Sequence, residues 1–104
     1  MKVTITGGAG FVGANLVSTL EQNPLIKEIV ILDDFSTGFH ENIAQTEAKI
    51  IEGSILDKSL VKEAVSQSSA VIHLAARSSV PRSIENPKAT HEVNATGTVN
   101  ILEE

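Results

Sequence analysis

The chain has 104 residues and a formal net charge of -5, the size of one domain or a piece of one, since domains run to about 100–200 residues, and a multidomain reading is excluded. With 41% of its residues apolar and 20% charged, it has the balance of a globular domain rather than a disordered chain, and folding buries roughly 65% of the unfolded surface. Thirteen acidic residues against eight basic ones disfavour nucleic acid and an anionic membrane as partners, both of which want clustered Lys and Arg, and the absence of cysteine excludes disulfides, a zinc knuckle and a thiol nucleophile.

Lys2 to Thr6 is a short β-branched run that predicts a strand. Its lone positive charge and apolar residues resemble the start of a signal peptide, but Gly7-Gly8-Ala9-Gly10 interrupts any apolar core at once, so a cytoplasmic protein is expected. Val12, Leu16 and Leu20, four residues apart, predict one face of a helix running to about Glu21 and ended by Asn23-Pro24. Glu28 to Leu32 is continuously apolar after its first residue, as a strand buried on both faces requires, and it stops at Asp33-Asp34. Lys49 to Glu52 predicts a third strand ending at Gly53, and Leu60, Val61, Ala64 and Val65 a second helix with Asp57 as N-cap. Ala70 to Leu74 predicts a fourth strand. Pro81 and Pro87 each suit the first turn of a helix, Pro87 with Asn86 as cap. The last helix is expected to carry Ala89, Val93, Gly97 and Ile101 on one face, and Glu103-Glu104 oppose its dipole, so the chain is expected to stop within an element. No apolar run reaches the roughly 18 residues of a membrane span.

Strands alternating with helices predict an α/β fold with a parallel sheet. Between the first strand and the first helix stands Thr6-Gly7-Gly8-Ala9-Gly10-Phe11-Val12-Gly13. Gly8, Gly10 and Gly13 satisfy the G-x-G-x-x-G dinucleotide fingerprint, while Gly7, Gly10 and Gly13 satisfy a related G-x-x-G-x-x-G spacing. Such glycines let backbone N–H groups approach a pyrophosphate at a helix N-terminus. Asp33 follows Gly13 by twenty residues, where a carboxylate accepts from both ribose hydroxyls. Together with Asp34 it would repel a 2′-phosphate, which favours NAD. A P-loop is excluded because no Gly-Lys-Ser/Thr follows the glycines. A flexible turn and a solvated strand-end acid are the plainer readings of the same residues, and the order strand, loop, helix, acid outweighs them.

Four segments in register carry a family resemblance: the glycine loop, Leu32-Asp33-Asp34-Phe35-Ser36-Thr37-Gly38, His73-Leu74-Ala75-Ala76 and Asn94-Ala95-Thr96-Gly97-Thr98. Over essentially its whole length the chain resembles the extended short-chain dehydrogenase/reductases, the NAD-dependent epimerases and dehydratases. Ser36-Thr37-Gly38 and the segment from Ser78 to Pro87 are most similar to UDP-sugar 4-epimerases, a pattern that nucleotide-sugar 4,6-dehydratases largely share; a non-catalytic NAD-binding module stays open beside both. The resemblance implies a Rossmann-like doubly wound parallel sheet of strand order 3-2-1-4, cut before a fifth strand, so that residues 1–104 are the N-terminal part of an NAD-binding domain with the substrate domain absent. It implies that Gly7, Gly10, Phe11 and Val12 approach the NAD pyrophosphate while Gly13 allows close helix packing. Asp33, assisted by Asp34, Ser36, Thr37 and Gly38, is implied at the adenosine ribose, and Leu74, Ala75 and Ala76 along the cofactor. Ser78 and Asn94 are implied near the nicotinamide. Ser54 stands where the family has an Asp that meets the adenine amino group, with Ile55 left to pack on the ring, and Ser78 stands where the UDP-glucose epimerase pattern has a Lys.

Family chemistry also needs a Tyr-x-x-x-Lys pair, and this sequence has no tyrosine, so no catalytic residue is expected in the chain. In the parent enzyme the implied reaction moves a hydride from C4 of a UDP-sugar to NAD and returns it to the other face of a 4-keto intermediate. His73 reads as a satisfied core residue and His40 and His91 as isolated ones; Asp57 and Glu63 read as cap and solvated face, and no Asp/Glu/His set has metal-ligand spacing. With no fifth strand, residues 70 to 74 are expected to form an apolar edge that invites self-association, and the parent is expected to be a homodimer.

Overall fold

The structure is a computed structural model and describes residues 1–35, 39–44, 46–75, 88 and 92–103. Its elements are β1 (Lys2–Thr6), α1 (Phe11–Glu21), β2 (Glu28–Asp33), a 3-10 turn (His40–Ile43), β3 (Lys49–Glu52), α2 (Lys58–Val65), β4 (Ala70–His73), a π turn (Glu92–Gly97) and α3 (Thr98–Glu103). All strand pairs are parallel, in the order β3-β2-β1-β4, as expected for a Rossmann-like sheet. The helix starts expected at Pro81 and at Pro87 with its cap Asn86, and Ala89 on the last helix, lie outside the described residues, as does His91.

The alternation of side chains along a strand divides the core between the two faces of the sheet. Ile29 and Ile31 of β2 join Val3 and Ile5 of β1 and Val17 of α1 on one face, while Val30 and Leu32 join Ile51, Ile55, Val61 and Ala64 on the other. Burying one such branched side chain stabilises the fold by about 1.5–3 kcal/mol. β1 is apolar on one face only. Its other face carries Thr4 and Thr6, both fully buried and both hydrogen-bonded, as burial of a hydroxyl demands. Thr4 Oγ1 donates to the Ala64 carbonyl at 2.6 Å, so Ser68 is the donor in its 2.6 Å bond to Thr4, and the end of α2 is held over the sheet.

Helix α1 turns a different face to the core than the expected one. Gly13 and Val17 are buried, Leu16 and Leu20 flank them, and Val12 is 64% exposed. The helix start is drawn in at Gly13, where a Cβ would overlap the Gly7 carbonyl oxygen, and that close approach rolls Val12 outward. Asn23 ends the helix as expected: its Oδ1 accepts from Leu25 N at 2.9 Å. Asp57 caps α2, accepting from Ser59 N and Leu60 N.

Gly97 and Ile101 do face the core, Ile101 against the cluster around Val30 and Leu32. The described part of this segment begins, however, with the π turn, which spacing alone did not indicate. Among the described residues no helix is long and apolar enough to cross a membrane.

Candidate functional site

The C-terminal ends of three parallel strands meet at one rim of the sheet, the usual ligand side of such folds. Gly7 leaves β1 with φ +75, a left-handed conformation that glycine takes at little cost. Its N–H donates to Leu32 O of β2 at 2.9 Å. A Cβ on Gly7 would lie 2.8 Å from Ala75 N, so the loop passes directly against the backbone that follows β4. Gly8 is pressed on Ile31, whose Cγ2 would be 2.7 Å from a Cβ. Gly10 differs: among the described residues the nearest atom to a Cβ there would be Gly7 O at 3.4 Å, so toward them its outer side is open.

Gly10 is also the N-cap of α1, with no side-chain cap and no acidic residue in the first turn. Among the described residues the first N–H groups and the positive end of the helix dipole are therefore uncompensated by side chains, a setting suited to an anion. Phe11 and Val12, 82% and 64% exposed, flank that opening.

Asp33 closes the rim from β2. Its Oδ2 accepts from Ala9 N at 2.9 Å and its Oδ1 from Phe35 N at 2.7 Å. Among the described residues each carboxylate oxygen keeps a further lone pair, and the residue is 8% exposed. The second of these bonds draws Phe35 to φ 60, an unusual conformation for a bulky residue that costs about 1–2 kcal/mol. Phe35 stacks on His40, ring centroids 3.8 Å apart, and His40 Nε2 lies 3.4 Å from Glu52 Oε1. This corrects the expectation that His40 is isolated: the 3-10 turn sets His40 between Phe35 beyond β2 and Glu52 at the end of β3. Glu63, expected to be solvated, lies 4.0 Å from Lys49 across an exposed surface.

Ser54 Oγ accepts from Leu56 N at 3.0 Å, which leaves its proton for another partner. Ile55 is 4% exposed and packs in the core, against Gly97, so its side chain is engaged within the protein. Leu74 is partly exposed beyond β4, with its N–H donating to Thr6 O at 3.0 Å. Asn94 stands on the π turn. Asp34 is exposed at the end of β2. Ser36, Thr37, Gly38, Ala76 and Ser78 lie outside the described residues. No group of three or more His, Asp or Glu that could hold a metal occurs among the described residues.

Several residues that build the rim were not singled out from the sequence. Thr6 receives the backbone N–H groups of Leu74 and Ala75 on its hydroxyl, and Asn42 Nδ2 donates to Ala9 O at 2.8 Å, fastening the 3-10 turn to the glycine loop. A buried Thr at the end of a strand followed by glycines is a usable signal for the first; nothing in local spacing signals the second.

The NAD dependent epimerase/dehydratase family profile matches residues 3–104. A dTDP-glucose 4,6-dehydratase of Mycobacterium tuberculosis is 36% identical over 99% of this chain and 32% of its own length. A putative UDP-glucose 4-epimerase of Methanocaldococcus jannaschii is 38% identical over 97% of this chain and 32% of its own. The structure of the Thermus thermophilus UDP-glucose 4-epimerase in complex with NAD superposes with a TM-score of 0.87 at 36% identity, over 99% of this chain and 33% of that one. The chain thus spans about a third of the length of the relatives it matches.

Proposed function

Since this chain belongs to the NAD dependent epimerase/dehydratase family, we propose that it forms the NAD-binding portion of a nucleotide-sugar epimerase of the UDP-glucose 4-epimerase type. The observation that carries the reading is the meeting, at one rim of the sheet, of an uncapped helix start, an open Gly10 and the Asp33 carboxylate. Backbone N–H groups from Gly7 to Val12 would take the pyrophosphate, with Gly13 seating the helix. Asp33 would accept from the adenosine ribose hydroxyls on its remaining lone pairs, assisted by Asp34 and the stretch Ser36, Thr37, Gly38. Ser54 and the backbone at Ile55 would border the adenine. Leu74, Ala75 and Ala76 would line the cofactor, and Ser78 and Asn94 the nicotinamide half.

Bound there, NAD supplies a hydride acceptor for C4 of a UDP-sugar and a donor for its return. These residues bind and orient; none of them is assigned a proton transfer, and the sequence contains no tyrosine. A nucleotide-sugar 4,6-dehydratase is the second reading, favoured by the 36% identity to the mycobacterial dehydratase over the same residues. Both readings place the same cofactor in the same rim.

Calorimetric titration tests the cofactor. NAD is expected to bind more tightly than NADP, and Asp33→Ala to abolish the difference along with most of the affinity, because it removes the carboxylate that faces both the ribose and the loop. Asp33→Asn, whose one acceptor oxygen can serve Ala9 N–H or Phe35 N–H but not both, is expected to weaken binding less than Asp33→Ala. A chain folded by circular dichroism that takes up neither nucleotide, or prefers NADP, would refute the proposal.

A further inference from the structure

His73 ends β4 without contributing to the rim just described, yet it is the centre of a hydrogen-bond chain whose direction can be worked out bond by bond. Thr6 is fully buried, and a hydroxyl has one proton and two lone pairs. Both lone pairs face donors, Ala75 N–H at 3.2 Å and Leu74 N–H at 3.1 Å, the latter shared with the Thr6 carbonyl oxygen at 3.0 Å. The one proton remains for His73 Nδ1, 2.6 Å away, so that nitrogen accepts. A neutral imidazole accepting at Nδ1 carries its proton on Nε2. Nε2 lies 3.0 Å from Thr98 Oγ1, whose own proton goes to the Asn94 carbonyl at 2.8 Å, so Thr98 accepts from the ring. Thr6 to His73 to Thr98 to Asn94 is therefore a directed chain in which every donor has its acceptor.

The opposite tautomer breaks it at both ends. A proton on Nδ1 would be a third donor against Thr6 Oγ1 and would leave the Thr6 hydroxyl proton facing another proton, while a bare Nε2 would need the Thr98 proton that the Asn94 carbonyl holds. Burial, which pushes the His73 pKa below its ordinary value, keeps the ring neutral as the chain requires.

We infer that His73, as the neutral Nε2–H tautomer, is a positioning residue that ties the π turn bearing Asn94 to the end of β4 and, through Thr6, to the start of the glycine loop. The inference rests on the dinucleotide-site reading above. One side of the π turn and α3 is already fixed elsewhere: Asn100 Nδ2 donates to Ile55 O at 3.0 Å, and Gly97 fits against Ile55 with no room for a Cβ. Those contacts anchor the helix toward α2. The His73–Thr98 bond anchors it toward β4, and it alone among these contacts runs to the strand end from which Leu74 and Ala75 emerge. π-helical turns are rare and recur at functional sites.

The ring tautomer is read directly from the nitrogen-15 resonances of histidine-labelled protein without nucleotide, His73 being assigned by its loss in His73→Gln. The expected spectrum at neutral pH has Nε2 protonated and Nδ1 bare. Thr98→Val, which removes the acceptor, is expected to shift the Asn94 amide resonance and weaken NAD binding about tenfold, while Thr98→Ser, which keeps the hydroxyl, restores both. A protonated Nδ1, an exchanging mixture of tautomers, or a Thr98→Val protein with unchanged Asn94 amide and unchanged affinity would each overturn the inference. Should the unmodified protein take up no NAD, the proposed function falls by itself, and the ring tautomer and the Asn94 resonance still decide the role of His73.

Discussion

Asp33 holds two backbone N–H groups, from Ala9 and from Phe35, one on each carboxylate oxygen, so the side chain expected at a ribose also fixes the loop in front of it. Preorganisation of this kind lowers what a ligand must spend on ordering the site. The glycines around it do unlike things, and this can be measured. Gly13→Ala drives a methyl into the Gly7 carbonyl and Gly8 and is expected to cost about 1–3 kcal/mol of stability. Gly10→Ala meets nothing closer than 3.4 Å among the described residues and is expected to change stability by no more than about 0.5 kcal/mol, yet to weaken NAD binding because its methyl occupies the open side of the loop. Urea melts and titrations of the two variants give both quantities, and an unimpaired Gly10→Ala would mean that no ligand passes there. At this scale the spacing from Gly13 to Asp33 was legible, because a strand, a turn and a helix consume a set number of residues. The partners of the carboxylate were not, since Ala9 and Phe35 contribute only their backbone.

Between elements, contacts from β1 and β4 to α2 and α3 are made by polar side chains in otherwise apolar strands. Thr4 and Thr6 on the α2 side of β1 and His73 on β4 are the cases. Their consequence for pH follows from the buried ring. The native His73 resists protonation, so the unfolded chain takes up the proton first. Stability is then complete above the ordinary histidine value of 6.5 and declines as pH falls below it, until the native ring protonates as well. The urea midpoint is expected to drop between about pH 7.5 and about pH 5, and His73→Gln to flatten that drop; equal slopes in the two proteins would show that His73 contributes nothing. Element boundaries were largely readable, because Asp57, Asn23 and the apolar runs act locally. The rotation of α1 and the π turn were not: the first depends on how closely Gly13 meets the loop, and the second on a tie to His73 from another strand.

For the molecule as a whole, the sheet buries β2 on both faces and leaves β4 with a partner on one side among the described residues. Ala70 is exposed on that strand and Val71 is 40% exposed. An edge that offers backbone groups beside apolar side chains is a template for pairing. A polypeptide of these 104 residues is therefore expected to sediment as a dimer or larger species at high concentration, and Val71→Lys to shift it toward monomer; a clean monomer for the unmodified chain would refute this.

The sequence by itself determined the α/β class and the glycine loop followed by an acid, because apolar periodicity, helix caps and loop glycines are local properties written in adjacent residues, while the strand order came from the family resemblance. Tertiary structure alone decided which lone pairs of Asp33 remain for a ligand, which face of α1 is buried, that His40 stacks on Phe35, and that Thr6, His73, Thr98 and Asn94 form one chain. These depend on groups up to 67 positions apart in sequence meeting at hydrogen-bond distance, and the direction of a hydrogen bond is set by all of its neighbours at once.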